Sequence, residues 1–161
     1  MLVLRESDLH DQAGMERAFQ DYFARVASEQ AGTFNAMLSP TLVRCGYEGK
    51  TLVLRAELRD WMRNPGGILH GGITASLLDF TMGILARYCT GGRMTPTVSM
   101  DVGYLRAGPT KGAVYMKAKI VKPGRRFVHA ACTLWAEGQE DRPLATATGI
   151  YSVPKGEAGS T

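Results

Sequence analysis

Asn64-Pro65-Gly66-Gly67-Ile68-Leu69-His70-Gly71-Gly72-Ile73-Thr74-Ala75-Ser76-Leu77-Leu78-Asp79 is the stretch from which the fold of this chain is read. Pro65, Gly66 and Gly67 punctuate the chain as a loop, and Gly71-Gly72 permits a sharp turn out of it. From Ile73 to Tyr88 there is no proline and most residues suit a helix, so a helix is predicted to begin near Gly71. Ile73, Leu77, Phe80 and Ile84 recur at helical spacing, and Leu78, Met82 and Leu85 occupy another side, which predicts burial on nearly every face. A helix buried all round needs a sheet that curls about it, or a sheet on one side and a partner on the other.

Asp79 is then out of place by chemistry. It lies more than two turns past the helix start, beyond the reach of the positive N-terminal dipole, and a desolvated carboxylate is costly without partners. The bland reading is an aspartate that caps a loop or pairs with an arginine. The loop before it favours a reaction centre instead. Unpaired backbone N–H groups at a helix start, beside glycines that let a ligand approach closely, suit an oxygen on which negative charge develops. A carboxylate and an oxyanion site together suggest attack on a carbonyl.

Asn64, then His70-Gly71-Gly72, then Asp79 nine positions after the histidine, resembles the motif of the hotdog-fold acyl-CoA thioesterases, in particular their phenylacetyl-CoA thioesterase-like (PaaI-like) branch. The resemblance runs from about Asn64 to Val153. It implies an α+β hotdog fold, a curved antiparallel sheet wrapped around one central helix, and hydrolysis of a coenzyme A thioester to free acid and CoA. Asp79 would activate water or act as nucleophile, and the Gly71 backbone N–H would polarise the carbonyl. Asn64 would add an amide donor, and His70 would either steady the departing thiolate or fix the loop. Ser99, in Thr97-Val98-Ser99-Met100, matches a position that orients water in some relatives, with Thr97 as the alternative and an outward polar strand residue as the plain reading. Arg125 and Arg126, at the turn Lys122-Pro123-Gly124, stand where such proteins contact CoA phosphates, or form a solvated basic loop. The implied assembly is a homodimer or a homotetramer of two dimers, with each site at a subunit boundary and Ser99 of one chain opposite Asp79 of the other. No cofactor is implied, coenzyme A being part of the substrate. The alternative from another class is a non-catalytic acyl-CoA-binding hotdog protein, a sensor or carrier.

Gly83 stands four residues after Asp79, as Ala75 stands four before it, which leaves the strip beside the carboxylate bare. Glycine inside a helix costs about 1 kcal/mol relative to alanine. Gly83 therefore makes room either for a packed strand or for the acyl group, where Gly72 also contributes to substrate binding.

The remainder of the chain is consistent with a single domain over residues 1–161. Its 45% hydrophobic and 21% charged residues are ordinary for a globular protein. The net charge of +4 is concentrated, because 102–136 holds seven Lys and Arg and no acid, which suits an anionic partner. No reader motif for nucleic acid accompanies it. Three scattered cysteines without a C-x-x-C pair predict neither disulfides nor zinc and suggest a cytoplasmic protein, and three dispersed histidines support no metal site. The apolar start Met1–Leu4 is too short for a signal peptide, and no run reaches membrane-spanning length.

An N-terminal extension, 1–38, should carry an amphipathic helix over Asp11–Ser28, with Met15, Phe19, Tyr22, Phe23 and Val26 on one face. It should cover an edge or the substrate entrance. Thr41–Tyr47 and Thr51–Leu58 form a hairpin, and Trp61 and Met62 in the lead-in loop pack beneath it or line an acyl pocket. Four further strands follow the helix, at Thr95–Tyr104, Gly112–Lys122, Phe127–Ala136 and Leu144–Val153, expected as an antiparallel meander. The tail 154–161 should be disordered.

Overall fold

The computed structural model describes residues 2–29 and 32–154. A 3-10 turn at Glu6–Leu9 leads into α1 (Gln12–Glu29), followed by the short α2 (Phe34–Leu38). The strands are β1 (Thr41–Gly46), β2 (Thr51–Glu57), β3 (Thr97–Tyr104), β4 (Ala113–Lys122), β5 (Phe127–Ala136) and β6 (Ala145–Ser152), and the long helix α3 spans Gly71–Cys89 between β2 and β3. The tail expected to be disordered falls, from 155 onward, outside the described residues.

All six strands form one antiparallel sheet in the order β1-β2-β4-β5-β6-β3. The expected meander needs one correction: β3 pairs with β6 at the far edge, and β2 lies beside β4. The 19 residues of α3 explain this, since at ~1.5 Å per residue they run roughly 28 Å. From β2 to β3 are four strand spacings, about 19 Å. The helix carries the chain across the concave face before β3 begins.

The inward side chains of the sheet, among them Leu52, Leu54, Val114, Met116, Ala130, Leu134 and Ala147, close over Leu77, Leu78, Met82 and Leu85 of α3 in one core. Burying each of those helix side chains contributes about 1.5–3 kcal/mol. Burial does not extend around the whole helix, however. Ser76, Asp79, Phe80, Gly83 and Arg87 are only half-buried, because the sheet covers one side of a cylinder and they form the stripe it leaves. α1 closes part of that gap with an aromatic cluster: Phe19 packs on Tyr88 at 5.3 Å, and Tyr22 and Phe23 each stand 6.4 Å from Phe80. It also covers the β1 edge, where Gln12 donates to the Cys45 carbonyl at 2.9 Å and accepts from the Tyr47 N–H at 2.8 Å. No helix among the described residues is long and apolar enough to cross a membrane.

Tyr151, 1% exposed, is held between two glycines: a Cβ on Gly83 would sit 3.4 Å from one edge of its ring, and a Cβ on Gly149 would sit 2.9 Å from the other. Gly83 thus has a packing role as well as a place on the open stripe. Gly149→Ala is expected to destabilise the fold by about 1–3 kcal/mol through overpacking, measured by urea unfolding. Gly83→Ala, which meets the ring at ordinary contact distance, should cost much less.

Candidate active site

The open stripe of α3 forms one wall of a pocket of about 190 Å³. Asp79, Phe80, Gly83, Ile84 and Arg87 line it from α3, Tyr22 from α1, Asn35 from α2, Met94 and Thr95 from the approach to β3, Thr97 from the start of β3, and Tyr151 from β6. At its head, Asp79 Oδ1 accepts hydrogen bonds from Thr97 Oγ1 at 2.9 Å and from the Tyr151 hydroxyl at 3.0 Å. The same hydroxyl lies 3.2 Å from the Asp79 carbonyl oxygen. Oδ2 has no hydrogen-bond partner among the described residues, so one carboxylate oxygen is fixed and the other is available. Burial, and then the neighbouring Asp79 carboxylate, push the Tyr151 hydroxyl well above its ordinary pKa, which keeps it protonated and a donor.

Thr97 reaches Asp79, and Ser99 does not, because of a bulge. Period-two alternation puts Thr97 and Ser99 on the same face. The register runs Thr97↔Tyr151, then Ser99↔Ile150, which leaves Val98 as the extra residue and reverses the phase between them. Thr97 thereby shares the inner face with Tyr151, while Ser99 points away from Asp79 of its own chain and is exposed.

The glycine motif lies at the other end of the exposed stripe. His70 is the N-cap of α3, its Nδ1 accepting from the Gly72 N–H at 2.9 Å. This bond ties the loop to the helix start. A Cβ on Gly72 would come 3.1 Å from the His70 ring, so Gly72 is the residue that lets the imidazole fold over the helix end. The Asn64 side-chain oxygen accepts from the Ile68 N–H at 3.3 Å and holds the glycine loop as a turn. The Gly71 N–H is unpaired among the described residues, and the Gly71 carbonyl accepts from the Tyr104 hydroxyl at 2.9 Å. Asn64, Gly71 and Tyr104 line a second, larger cavity of about 470 Å³. Eight helical steps separate Gly71 from Asp79, roughly 12 Å at ~1.5 Å each. One carbonyl group cannot touch both within a single chain.

Arg125 and Arg126 are exposed in the β4–β5 turn. The Val153 N–H donates to the Arg126 carbonyl at 2.8 Å, and Val153 is two residues from Tyr151, so this turn lies at the Asp79 end of the sheet. Met62 is 1% exposed in the core and Trp61 faces solvent; neither lines the two cavities. The cysteines are poor nucleophiles: burial pushes Cys45 and Cys89 up to about 11 and Cys132 higher still. Among the described residues no cluster of His, Cys, Asp and Glu could hold a metal.

Tyr151 went unnoticed in the sequence. Its signal is tertiary, a tyrosine on an inward strand position whose hydroxyl must find a partner when buried. Removing that hydroxyl by Tyr151→Phe deletes one hydrogen bond to a charged group, worth about 1.5–3 kcal/mol. Turnover should fall roughly tenfold with little change in KM, read by steady-state kinetics.

Comparison with known proteins bears on the fold and the family. Residues 66–142 match the thioesterase superfamily. Acyl-coenzyme A thioesterase THEM4 of Xenopus laevis is 32% identical over 92 residues, 56% of this chain and 40% of that protein. Acyl-coenzyme A thioesterase 13 of Mus musculus is 32% identical over 96 residues, 58% of this chain and 66% of that protein. The match thus spans less than half of the first relative. Among solved structures, zebra fish thioesterase superfamily member 2 superposes with TM-score 0.75 at 22% identity, over 86% of this chain and 97% of that one. The E. coli PaaI protein from the phenylacetic acid degradation operon does so with TM-score 0.72 at 16% identity, over 87% and 95%. With the central helix, the six-stranded sheet and the matched segment around Asp79, residues 66–142 form the matched part of a thioesterase superfamily (hotdog) domain.

Proposed function

We propose that this protein is an acyl-CoA thioesterase whose active site is shared between two copies of the chain. The observation that carries the reading is the state of Asp79: one oxygen tied by two hydroxyls, the other open to a pocket. Oδ2 takes a proton from water as the water oxygen attacks the thioester carbon. The carbonyl oxygen becomes an oxyanion, stabilised by the Gly71 N–H with the Asn64 amide beside it. The C–S bond then breaks, and the thiolate takes the proton back from Asp79, giving free acid and CoA.

The roughly 12 Å between Gly71 and Asp79 supports the sharing. β3 is an edge strand with exposed apolar side chains, Val98 at 56% and Tyr104 at 57%. It begins beside Asp79, through Thr97, and ends beside Gly71, through Tyr104. Two copies pairing antiparallel along β3 about a two-fold axis bring Asp79 of one chain toward the partner subunit's Gly71. A homodimer is therefore the minimal active unit. Arg125 and Arg126, at the Asp79 end, are placed to bind the CoA phosphates.

Asp79→Asn keeps the shape and removes the base, so hydrolysis of acyl-CoA should fall at least ~100-fold in a thiol-release assay. Near wild-type turnover would remove Asp79 from the mechanism. A wild-type protein that binds acyl-CoA tightly but hydrolyses none of a broad panel would be a carrier or sensor. Changing both Arg125 and Arg126 to Ala should raise KM for acyl-CoA by about tenfold and leave a pantetheine thioester, which lacks the nucleotide, nearly unaffected.

A further inference from the structure

Arg87 has a role that helix chemistry alone does not explain. Asp79, Gly83 and Arg87 follow one another at four-residue steps along α3, so the pocket begins at the carboxylate, passes a glycine and ends at a guanidinium. Nε of Arg87 donates to the Gly92 carbonyl at 2.9 Å, the ordinary duty of a cation in the last turn of a helix. Its two terminal nitrogens have no hydrogen-bond or ion-pair partner among the described residues. Asp79, at the opposite end, is the one acidic residue in the lining. Desolvation bears on the guanidinium, lowering its pKa, and the Tyr22 hydroxyl stands near enough to be coupled to it electrostatically. Asn35 adds an amide to the same lining. Between the two polar ends, Phe80 and Ile84 supply apolar wall.

A half-buried guanidinium with two unpartnered terminal nitrogens in the wall of an acyl pocket is unfavourable for a plain hydrocarbon chain, which would strip its remaining water and return no hydrogen bond. A planar anion answers it in bidentate geometry. We propose that Arg87 is the specificity-determining residue of this pocket and selects acyl groups that end in a second carboxylate, so that the substrates are CoA thioesters of dicarboxylic acids. This rests on the reading of Asp79 as the point of attack. The anion that meets Arg87 has a second conceivable source in the phosphates of coenzyme A, which the test separates.

The experiment compares adipyl-CoA with hexanoyl-CoA, equal in chain length and identical in their nucleotide, for the wild type, Arg87→Met and Arg87→Lys. The wild type should favour adipyl-CoA by about tenfold or more in kcat/KM. Arg87→Met should abolish the preference, and Arg87→Lys, which keeps the charge without the fork, should retain part of it. No wild-type preference overturns the proposal. So does an equal loss on both substrates in Arg87→Met, the result expected if Arg87 held CoA phosphates or only the helix end. Calorimetric affinities for the same two thioesters, measured in the Asp79→Asn background, keep the two readings apart. A binding preference that depends on Arg87, with no hydrolysis by the wild type, would sink the hydrolase and leave Arg87 in place. Hydrolysis without preference in either assay would do the reverse. Should Arg87→Met fail to fold, the wild-type ratio and Arg87→Lys still decide.

Discussion

Everything in this structure depends on how one apolar helix is kept from water. α3 places Leu77, Leu78, Met82 and Leu85 at 0% exposure against the concave face of the sheet. That burial is the largest favourable contribution available to a chain of this size, and truncating any one of these side chains to alanine would cost about 2–5 kcal/mol. A six-stranded sheet nonetheless has only one concave face. It covers one side of the helix, and the uncovered stripe holds Ser76, Asp79, Gly83 and Arg87.

The chemistry is a consequence of that incomplete cover. Asp79 and Arg87 stand on the stripe, where they escape full desolvation yet remain bounded by walls from α1, α2 and β6. The carboxylate would be a poor catalytic group if it rotated freely. The Thr97 and Tyr151 hydroxyls fix one oxygen, and Tyr151 is fixed in turn by the two glycines on either side of its ring. The other element of the proposed mechanism, the unpaired N–H at the start of α3, lies too far away to serve the same carbonyl within one chain. Helix length, more than any single side chain, is what points to a second copy.

The motif from Asn64 to Asp79 was legible in the sequence because glycines, a helix start and an isolated carboxylate each have a local physical meaning. So were α1, the hairpin β1–β2 and the later strands, within a residue or two, through their periodicity. Three features were not legible. The position of β3 at the far edge depends on the reach of α3 across the sheet, which no local pattern encodes. That Thr97, the alternative to Ser99, is the residue that meets Asp79 of its own chain depends on a bulge at Val98, and a bulge reverses the alternation that strand reading relies on. Tyr151 carries no local signal, because its place beside Asp79 follows from the register that sets it opposite Thr97. His70 was legible as part of the motif, but its role as a helix cap required the ring nitrogen to be seen against the Gly72 N–H.

The central claim, that Asp79 and Gly71 serve one carbonyl from two chains, is tested most directly by mixing two inactive variants. Gly71→Pro removes the N–H at a position where a helix tolerates proline, the first residue after the cap, and a Cβ there meets the Tyr104 ring only at an ordinary 3.5 Å. Asp79→Asn removes the base. Unfolded together and refolded as mixed dimers, the two should recover about a quarter of wild-type activity, because half the dimers are hybrids and each hybrid carries one intact site. If both groups instead acted within one chain, every site in the mixture would lack one of them, and the refolded mixture would be as inactive as either variant alone.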